Sequence, residues 1–278
     1  MSFGPKPWQQ LHWDARAAAN FILGGTGAGL LVAWAVSAAV TTAWQAYVLA
    51  GLASIALGLG AVWLEIGRKL RAIHVFFHPQ TSWMTREAMV AVVLFAIGLA
   101  ALASGLRALA FAAALLALGF VYCQGRILHA SKGIPAWREP TVTAFIVTTG
   151  LAEGAGAFLA ASAAAGSAHR AGLAFFALAV VARALAWSRY RARLGHSVPR
   201  RALEALDPAG RMLIQLGTVA PLVLAVAGLA LTELAAPAGI FAGLLALGTG
   251  WFLKFVLVTR AAYNQGFALP KLPVRGSR

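Results

Sequence analysis

The sequence predicts an all-α integral membrane protein, a bundle of eight transmembrane helices, because three features of the chain agree. Eight apolar stretches are each close to the roughly 20 residues that a helix needs to cross a bilayer. Charged residues make up 11% of the 278 positions, whereas a soluble domain has about 25%. Nineteen of the 23 Lys and Arg residues lie in alternate connections and at the two ends of the chain.

The predicted spans follow one another with short connections. Their bounds are 17–39, 45–66, 87–105, 107–125, 141–165, 170–189, 211–233 and 238–259. The longest polar stretches between them, near 67–86, 126–140 and 190–210, are too short for a separate soluble domain. We therefore expect residues 1–278 to form a single transmembrane domain.

Spans 1 and 2 are apolar runs that end in polar segments. Span 1 follows Trp8, His12 and Trp13, a lead segment typical of the membrane interface. It contains the run Gly24-Gly25-Thr26-Gly27-Ala28-Gly29, with no strand before it. A dinucleotide-binding loop needs such a strand, so these small residues predict close packing of a neighbouring helix. Span 2 ends at Glu65 and leads into a basic loop.

Spans 3 and 4 are predicted to form a hairpin. Glu87 begins span 3, where a negative charge favours the helix N-terminus. The residues Ser104-Gly105-Leu106 leave only a very short connection at the far end of the hairpin. Span 4 is followed by a longer loop that contains Trp137 between two prolines. The longer, basic connections therefore indicate the face on which a partner docks.

Spans 5, 6 and 8 each contain one ionisable residue well inside the apolar run, namely Glu153, Arg183 and Lys254. Such residues are costly in a bilayer and usually face the bundle interior, paired or near water. Because a short loop joins spans 5 and 6, we expect an ion pair between Glu153 and Arg183. Such a pair fits a structural role, and it also fits a proton route.

Uncharged polar residues and glycines indicate how the spans pack. Asn20 in span 1 and Gln215 in span 7 are expected to form helix–helix hydrogen bonds or to line a cavity. Span 7 also contains Pro221. Glycines four residues apart allow a neighbouring helix to approach closely. These pairs are Gly25 with Gly29, Gly150 with Gly154, and Gly239 with Gly243.

The charge distribution predicts the orientation of the bundle. Only Arg107 and Arg170 lie in the connections opposite the basic ones. Loops rich in Lys and Arg stay in the cytoplasm, so we expect a multi-pass protein of the bacterial inner membrane with both termini cytoplasmic. Topology and contact with anionic membrane lipid account for the net charge of +15. Nucleic acid is not an expected partner, because no segment resembles a nucleic-acid-binding module.

Cysteine and histidine content limits the redox groups that the chain can hold. Cys123 is the only cysteine, so the chain alone cannot form an internal disulfide or ligate an iron–sulfur cluster. A membrane-bound b-type haem needs His ligands inside helices. The histidines lie instead in loops or at span ends; they are His12, His74, His78, His129, His169 and His196. We therefore expect neither a haem nor a metal site.

Two segments between the predicted spans contain motifs that support a family resemblance. The first lies between spans 2 and 3 and contains Gly67, Arg71, Ala72, Arg86 and Glu87. The second follows span 4 and contains Arg126, Pro135, Trp137 and Pro140. The Trp–His lead segment before span 1 and Arg260 near the end of span 8 belong to the same set of motifs. In these residues and in its eight spans, the chain resembles the membrane-anchor subunit of DMSO reductase and its polysulfide-reductase-like relatives, within the molybdopterin oxidoreductases.

The resemblance implies a subunit without haem that exchanges electrons with a membrane quinone, either menaquinone or ubiquinone. Its partner would be a ferredoxin-like iron–sulfur subunit, which in turn serves a molybdopterin catalytic subunit. The chain would then dock the soluble subunits and host the quinone site without itself catalysing the terminal reaction. The resemblance also assigns Arg126 and Trp137 to partner docking.

The quinone pocket of the family opens near the ends of spans 2 and 3, which by position points to Glu87 and Glu65. Both carboxylates are candidates for proton transfer to the quinone. Arg71, His74 and Asn20 are further candidates for lining the pocket.

The chain departs from the family at two points. Glu65 stands where the family often has His, so either the hydrogen-bond partner of the quinone differs or this position makes no direct contact. DMSO reductase itself works outside the cytoplasm, whereas the charge pattern here places the docking face inside. This orientation is closer to a branch that serves a cytoplasmic enzyme, such as an acyl-CoA oxidoreductase of the phenylacetyl-CoA type.

Two other classes of function fit the composition. A secondary transporter or channel would use Glu153, Arg183 and Lys254 as an ion path. Transporters often contain internal repeats, and none is evident between residues 1–140 and 141–278. A passive anchor would tether a soluble enzyme and bind no quinone.

Overall fold

A computed structural model describes residues 6–37, 43–66 and 69–266 of the chain. Within these ranges, eight helices are long and apolar enough to cross a membrane. They are α1 (Ala15–Val36), α2 (Trp44–Glu65), α3 (Trp83–Ser104), α4 (Arg107–Ala130), α5 (Val142–Ala164), α6 (Arg170–Leu194), α7 (Arg200–Ala230) and α8 (Thr232–Arg260). The described residues contain no strand beyond one isolated bridge between Gln9 and Tyr263. The predicted all-α bundle of eight transmembrane helices is therefore confirmed.

The helices differ most from the predicted spans at the end of the bundle that carries the basic connections, here called the basic end. There α4 continues to Ala130, α6 continues to Leu194 and α7 begins at Arg200, where we predicted 125, 189 and 211. The first half of α7 is amphipathic and buries five residues, Ala202, Leu206, Ala209, Gly210 and Leu213. These helices extend beyond the apolar runs because one face packs on protein. The predicted end of span 1, at residue 39, lies outside the described residues.

The segments before α1 and after α8 lie side by side at the basic end. The Gln10 amide donates to the Ala262 carbonyl at 2.9 Å, and the Asn264 amide donates to the Trp8 carbonyl at 3.0 Å. Asp14 caps α1 by accepting from the Arg16 amide at 2.7 Å. The Arg16 guanidinium, 2.8 Å from the Asp14 carboxylate, lowers the pKa of Asp14. The start of α1 and the end of α8 thus lie on the same face of the bundle, as an even number of spans requires.

The helices α1 and α5 form the centre of the bundle and cross at glycines. A β-carbon on Gly29 would collide with the backbone of Gly150, and one on Gly154 would collide with the backbone of Gly29. On another side of α5, Gly156 packs against Gly243 of α8. All six glycines of the three predicted pairs face a neighbouring helix at close range. Their predicted packing role is confirmed.

Two apolar cores fill the bundle and a layer of buried polar side chains lies between them. One core lies at the basic end and includes Phe21, Phe145 and Tyr190. The other lies towards the opposite end and includes Trp34 and Phe158. Near the positions where the helices pass from one core to the other, they carry polar residues that are at most 6% exposed. We call seven of them the polar layer: Asn20, Thr26, Glu87, Gln124, Glu153, Arg183 and Lys254.

Substitution of Gly154 tests the glycine crossing. We expect Gly154→Ala to lower the free energy of unfolding by about 1–3 kcal/mol, because the added methyl group forces α5 away from α1. The measurement is thermal unfolding of the purified protein in detergent, followed by circular dichroism. Gly248→Ala is the matched control, since nothing lies within 4 Å of its β-carbon position. Equal melting temperatures for the two variants would contradict this account.

Candidate functional site

A cavity of about 390 Å³ lies at the basic end between α1, α2 and α3. Its wall is mostly apolar and includes Phe21, Trp63, Met84 and Ile127. Three polar side chains interrupt this wall, namely Asn20, Glu65 and Glu87. The sequence-predicted candidates Glu87, Glu65 and Asn20 therefore meet in one cavity, although they come from three different helices.

Glu87 lies deep in this cavity and is held by neighbouring helices. It is 5% exposed and lies in the first turns of α3. The Ser82 hydroxyl caps α3 by accepting from the Thr85 amide at 3.2 Å, which fixes where the helix begins. Asn20 Nδ2 of α1 donates to Glu87 Oε1 at 3.3 Å. Gln124 of α4 also lies close enough to interact with this carboxylate.

Glu65 occupies a different position, at the end of α2 and near the mouth of the cavity. Its side chain is half-buried. Arg16 and Asp14, the ion pair that begins α1, are its charged neighbours. The cavity thus has one carboxylate enclosed by protein and one that is partly accessible from the basic end.

Arg71 and His74 do not line the cavity, and this corrects their predicted role in the pocket. Both belong to the 3₁₀-helical segment Lys69–Phe76 and both are exposed. Among the described side chains of this segment, Ala72 and Val75 reach the cavity, whereas the apolar residues Ile73 and Phe76 are exposed as well.

Trp137 is buried and offers no surface for docking, contrary to the role that the resemblance implied. It is 3% exposed, and its Nε1 donates to the Leu257 carbonyl at 2.9 Å. Its ring stacks on Trp13 with 4.8 Å between centroids. The α4–α5 loop is thereby fixed to the end of α8 and to the segment before α1.

Arg126, the second predicted docking residue, is partly exposed at the basic end. Its guanidinium lies over the Trp83 ring, 4.4 Å from the centroid, and its Nη1 donates to the Tyr122 hydroxyl at 3.1 Å. The position stays compatible with docking, but aromatic neighbours already use part of this side chain. Gly67, which carried part of the resemblance, lies outside the described residues.

Glu153 pairs with Lys254, not with Arg183 as predicted. Lys254 Nζ is 2.7 Å from Glu153 Oε2, and neither side chain has any exposed surface. A short loop makes α5 and α6 neighbours, but α8 also packs on α5 and its lysine reaches the carboxylate. Arg183 instead donates to the carbonyls of Ala246, at 2.7 Å, and of Gly217. Its guanidinium still lies close to Glu153.

The Oε2 oxygen of Glu153 takes part in a second interaction. Trp251 Nε1 donates to Thr26 Oγ1 at 2.8 Å, and Thr26 Oγ1 donates to Glu153 Oε2 at 3.2 Å. The carboxylate therefore holds α1, α5 and α8 together in the polar layer. A buried charge that is paired and hydrogen-bonded in this way avoids much of the cost of its removal from water.

Two π-helical turns supply backbone acceptors to the polar layer. These turns are Asn20–Gly24 in α1 and Gln215–Val219 in α7. Lys254 Nζ donates to the Phe21 carbonyl in the first turn at 2.8 Å, and Arg183 donates to Gly217 in the second. Gln124 Nε2 donates to the Asn20 carbonyl at 2.8 Å. Such turns are frequent at functional sites, and we did not predict them from the sequence.

No protein-family model matches the chain, and no curated protein is significantly similar to it in sequence. The resemblance to the membrane-anchor subunits therefore depends on the residues named above. What that resemblance implies about activity stays a prediction.

The buried pair of Lys254 and Glu153 predicts that loss of either side chain strongly lowers the free energy of unfolding. We expect Lys254→Met to lower the free energy of unfolding by about 3–5 kcal/mol, because the buried Glu153 carboxylate then loses both its closest cation and the hydrogen bond from Nζ. The double variant Lys254→Met/Glu153→Gln should recover part of this loss. Thermal unfolding in detergent measures both effects.

Arg200→Met is the control for that comparison. It removes a cation from the pair Arg200–Glu204, whose side chains are 91% and 59% exposed. An exposed pair contributes at most about 1 kcal/mol, so this variant should unfold like the wild type. A double variant as unstable as Lys254→Met would show that the buried charge is not the cause.

Proposed function

We propose that this chain is the quinone-reactive membrane-anchor subunit of a multi-subunit molybdopterin and iron–sulfur oxidoreductase. The observation that carries the proposal is the cavity at the basic end, with apolar walls and a carboxylate–amide pair, Glu87 and Asn20, inside it. Binding pockets for small molecules are mostly apolar, occupy about 300–1,000 Å³ and contain a few placed polar groups. A quinone ring fits this description.

Quinone chemistry gives each polar group of the cavity a role. A quinone that accepts two electrons and two protons becomes a quinol, and the reverse reaction releases both. Glu87 transfers one proton because its carboxylate lies inside the cavity, where it can reach a quinone oxygen. Asn20 orients Glu87, and Glu65 exchanges protons between the mouth of the cavity and the aqueous phase.

Electrons reach the cavity from a partner, because one cysteine cannot ligate an iron–sulfur cluster. A ferredoxin-like iron–sulfur subunit on the basic end supplies them and connects in turn to a molybdopterin catalytic subunit. The ends of α4, α6 and α7 at the basic end, together with Arg126 of α4, provide the docking face. By the positive-inside rule this face is cytoplasmic, in the inner membrane of a bacterium.

The two alternative functions, a transporter and a passive anchor, account for fewer features of the structure. A transporter that used Glu153, Arg183 and Lys254 would need access to them from both ends of the bundle. The core residues Leu31, Trp34, Phe158 and Phe176 fill the bundle on the side away from the basic end. A passive anchor needs no buried carboxylate at the bottom of an open cavity.

Replacement of Glu87 tests the quinone site. We expect Glu87→Gln to lower quinone turnover by about 100-fold, because the amide cannot transfer the proton, while assembly with the partner stays intact. Turnover by the purified complex with a soluble quinone measures the effect. Glu233→Gln is the matched control, since it removes an exposed carboxylate at the opposite end of the bundle. Unchanged kinetics in Glu87→Gln would exclude Glu87 from the mechanism.

Copurification tests the partner. We expect the full chain, affinity-purified from its native membrane, to bring with it a subunit that contains several iron–sulfur clusters, identified by mass spectrometry and iron content. Binding of a quinone analogue to this complex then distinguishes the quinone-reactive subunit from a passive anchor. Purified chain that transports ions in liposomes and retains no redox partner would favour the transporter.

A further inference from the structure

The polar layer contains equal numbers of buried acids and bases. Within the described part of the chain, the buried charged residues are Glu87, Glu153, Arg183 and Lys254. They come from four different helices, α3, α5, α6 and α8, so no local sequence rule brings them together. Ionisable residues inside a membrane bundle mark ion or proton pathways more often than they serve stability.

These residues form a connected line that begins at the cavity. Glu87 contacts Asn20, and the Asn20 carbonyl accepts from Gln124. A β-carbon on Gly25 would meet both the Gln124 side chain and Lys254 Nζ. Gln124 Oε1 and Lys254 Nζ therefore both lie beside Gly25. From Lys254 the line continues to Glu153.

Unsatisfied polar atoms lie along the same line. Asn20 Oδ1, Gln124 Oε1, Glu153 Oε1 and Arg183 Nε are buried and have no hydrogen-bond partner within the described residues. Each such atom is costly where lipid surrounds the helices. Buried polar groups that lack a protein partner are commonly satisfied by internal water, which needs two to four polar neighbours. The polar layer offers such neighbours from Glu87 to Arg183.

The line is closed at its other end. Beyond Thr26, α1 buries Leu31 and Trp34, and the facing helices bury Phe158 and Phe176. A proton that enters from the cavity can therefore reach the Lys254–Glu153 pair but can leave only by the same way. This arrangement differs from a pump, which needs an exit on the opposite side.

We propose that a water-filled line runs from Glu87 through Asn20 and Gln124 to Lys254, and that Lys254 is a proton-exchanging site connected to the cavity. In this step the Lys254 ammonium releases one proton to the water beside it, and the Glu87 carboxylate gains one proton at the other end. Lys254 is left as a neutral amine, and the total charge of the layer is unchanged. The use of this proton during quinone turnover rests on the proposed function.

The neighbours of Glu153 make Lys254 the group that exchanges. Arginine stays charged in proteins, so Arg183 continues to compensate Glu153 when Lys254 is neutral. Thr26 donates to the same carboxylate and keeps it in place. The groups that face Lys254 are Glu153 from α5, Arg183 from α6 and the Phe21 carbonyl from α1. A neutral Lys254 amine can still donate a hydrogen bond to Glu153, which methionine cannot, so loss of the proton disturbs this carboxylate less than loss of the side chain.

The test is hydrogen–deuterium exchange at Lys254. The full chain, labelled with ¹⁵N at the lysine side chains and embedded in lipid bilayers, is transferred to D₂O and followed by solid-state nuclear magnetic resonance. Loss of one signal in Lys254→Met assigns the resonance. We expect the wild-type signal to exchange readily and Gln124→Leu to slow that exchange about tenfold or more, since an apolar side chain then interrupts the line.

Two further variants make the outcome decisive. Gly25→Ala places a methyl group against Lys254 Nζ and beside Gln124, so it interrupts the line at a different residue and should slow the exchange as well. Ser162→Ala is the control: it removes a buried hydroxyl that bonds the Leu159 carbonyl, on the far side of the layer, and should change nothing.

Exchange at the wild-type rate in folded Gln124→Leu and Gly25→Ala, or a wild-type Lys254 that does not exchange, would overturn the proposal. No quinone is used, so the result is independent of whether the cavity binds one.

Discussion

The pairing of Lys254 with Glu153 inside the bundle is the interaction on which the rest of the structure depends. A charge without a partner is not tolerated among apolar helices, so α1, α5 and α8 must approach closely enough for both side chains to be satisfied. Glycines at the crossings permit that approach, and the π-helical turn in α1 supplies a further acceptor at Phe21. The apolar core on the side away from the basic end then separates these charges from that surface of the bundle.

The same layer connects stability with the candidate chemistry. Asn20 contributes to both, because its side chain donates to Glu87 and its carbonyl accepts from Gln124. The polar groups of the cavity are therefore hydrogen-bonded to those of the interior. The three acidic residues of the cavity and the polar layer lie at different depths. Glu65 lies at the mouth of the cavity, Glu87 lies at its bottom, and Glu153 lies beyond it, beside Lys254 and Arg183. This gradation suits a site that must handle protons and still exclude bulk water.

Sequence patterns predicted the features that depend on composition and failed where the result depends on which helices are neighbours. The eight apolar runs and the crossing glycines were accessible in this way, whereas the grouping of Glu65, Glu87 and Asn20 in one pocket was suggested by the resemblance. The partner of Glu153 was not, because nothing in the order of the spans tells that α8 packs on α5. The buried position of Trp137 depends on the end of α8 in the same way. Amphipathic spacing from Ala202 to Leu213 would have revealed the early start of α7, but the π-helical turns have no comparable signature.

The separation of 101 residues between Glu153 and Lys254 also constrains how the protein is made. A ribosome completes α5 long before α8 exists, so Glu153 enters the lipid without its lysine. During that interval the carboxylate must be protonated or covered by the insertion machinery. The final packing of α1, which is synthesised before α5, likewise waits for α8. The contact between α5 and α8 can therefore form only after the other seven helices have been synthesised. Insertion of α8 then completes the packing of the helices that were inserted before it.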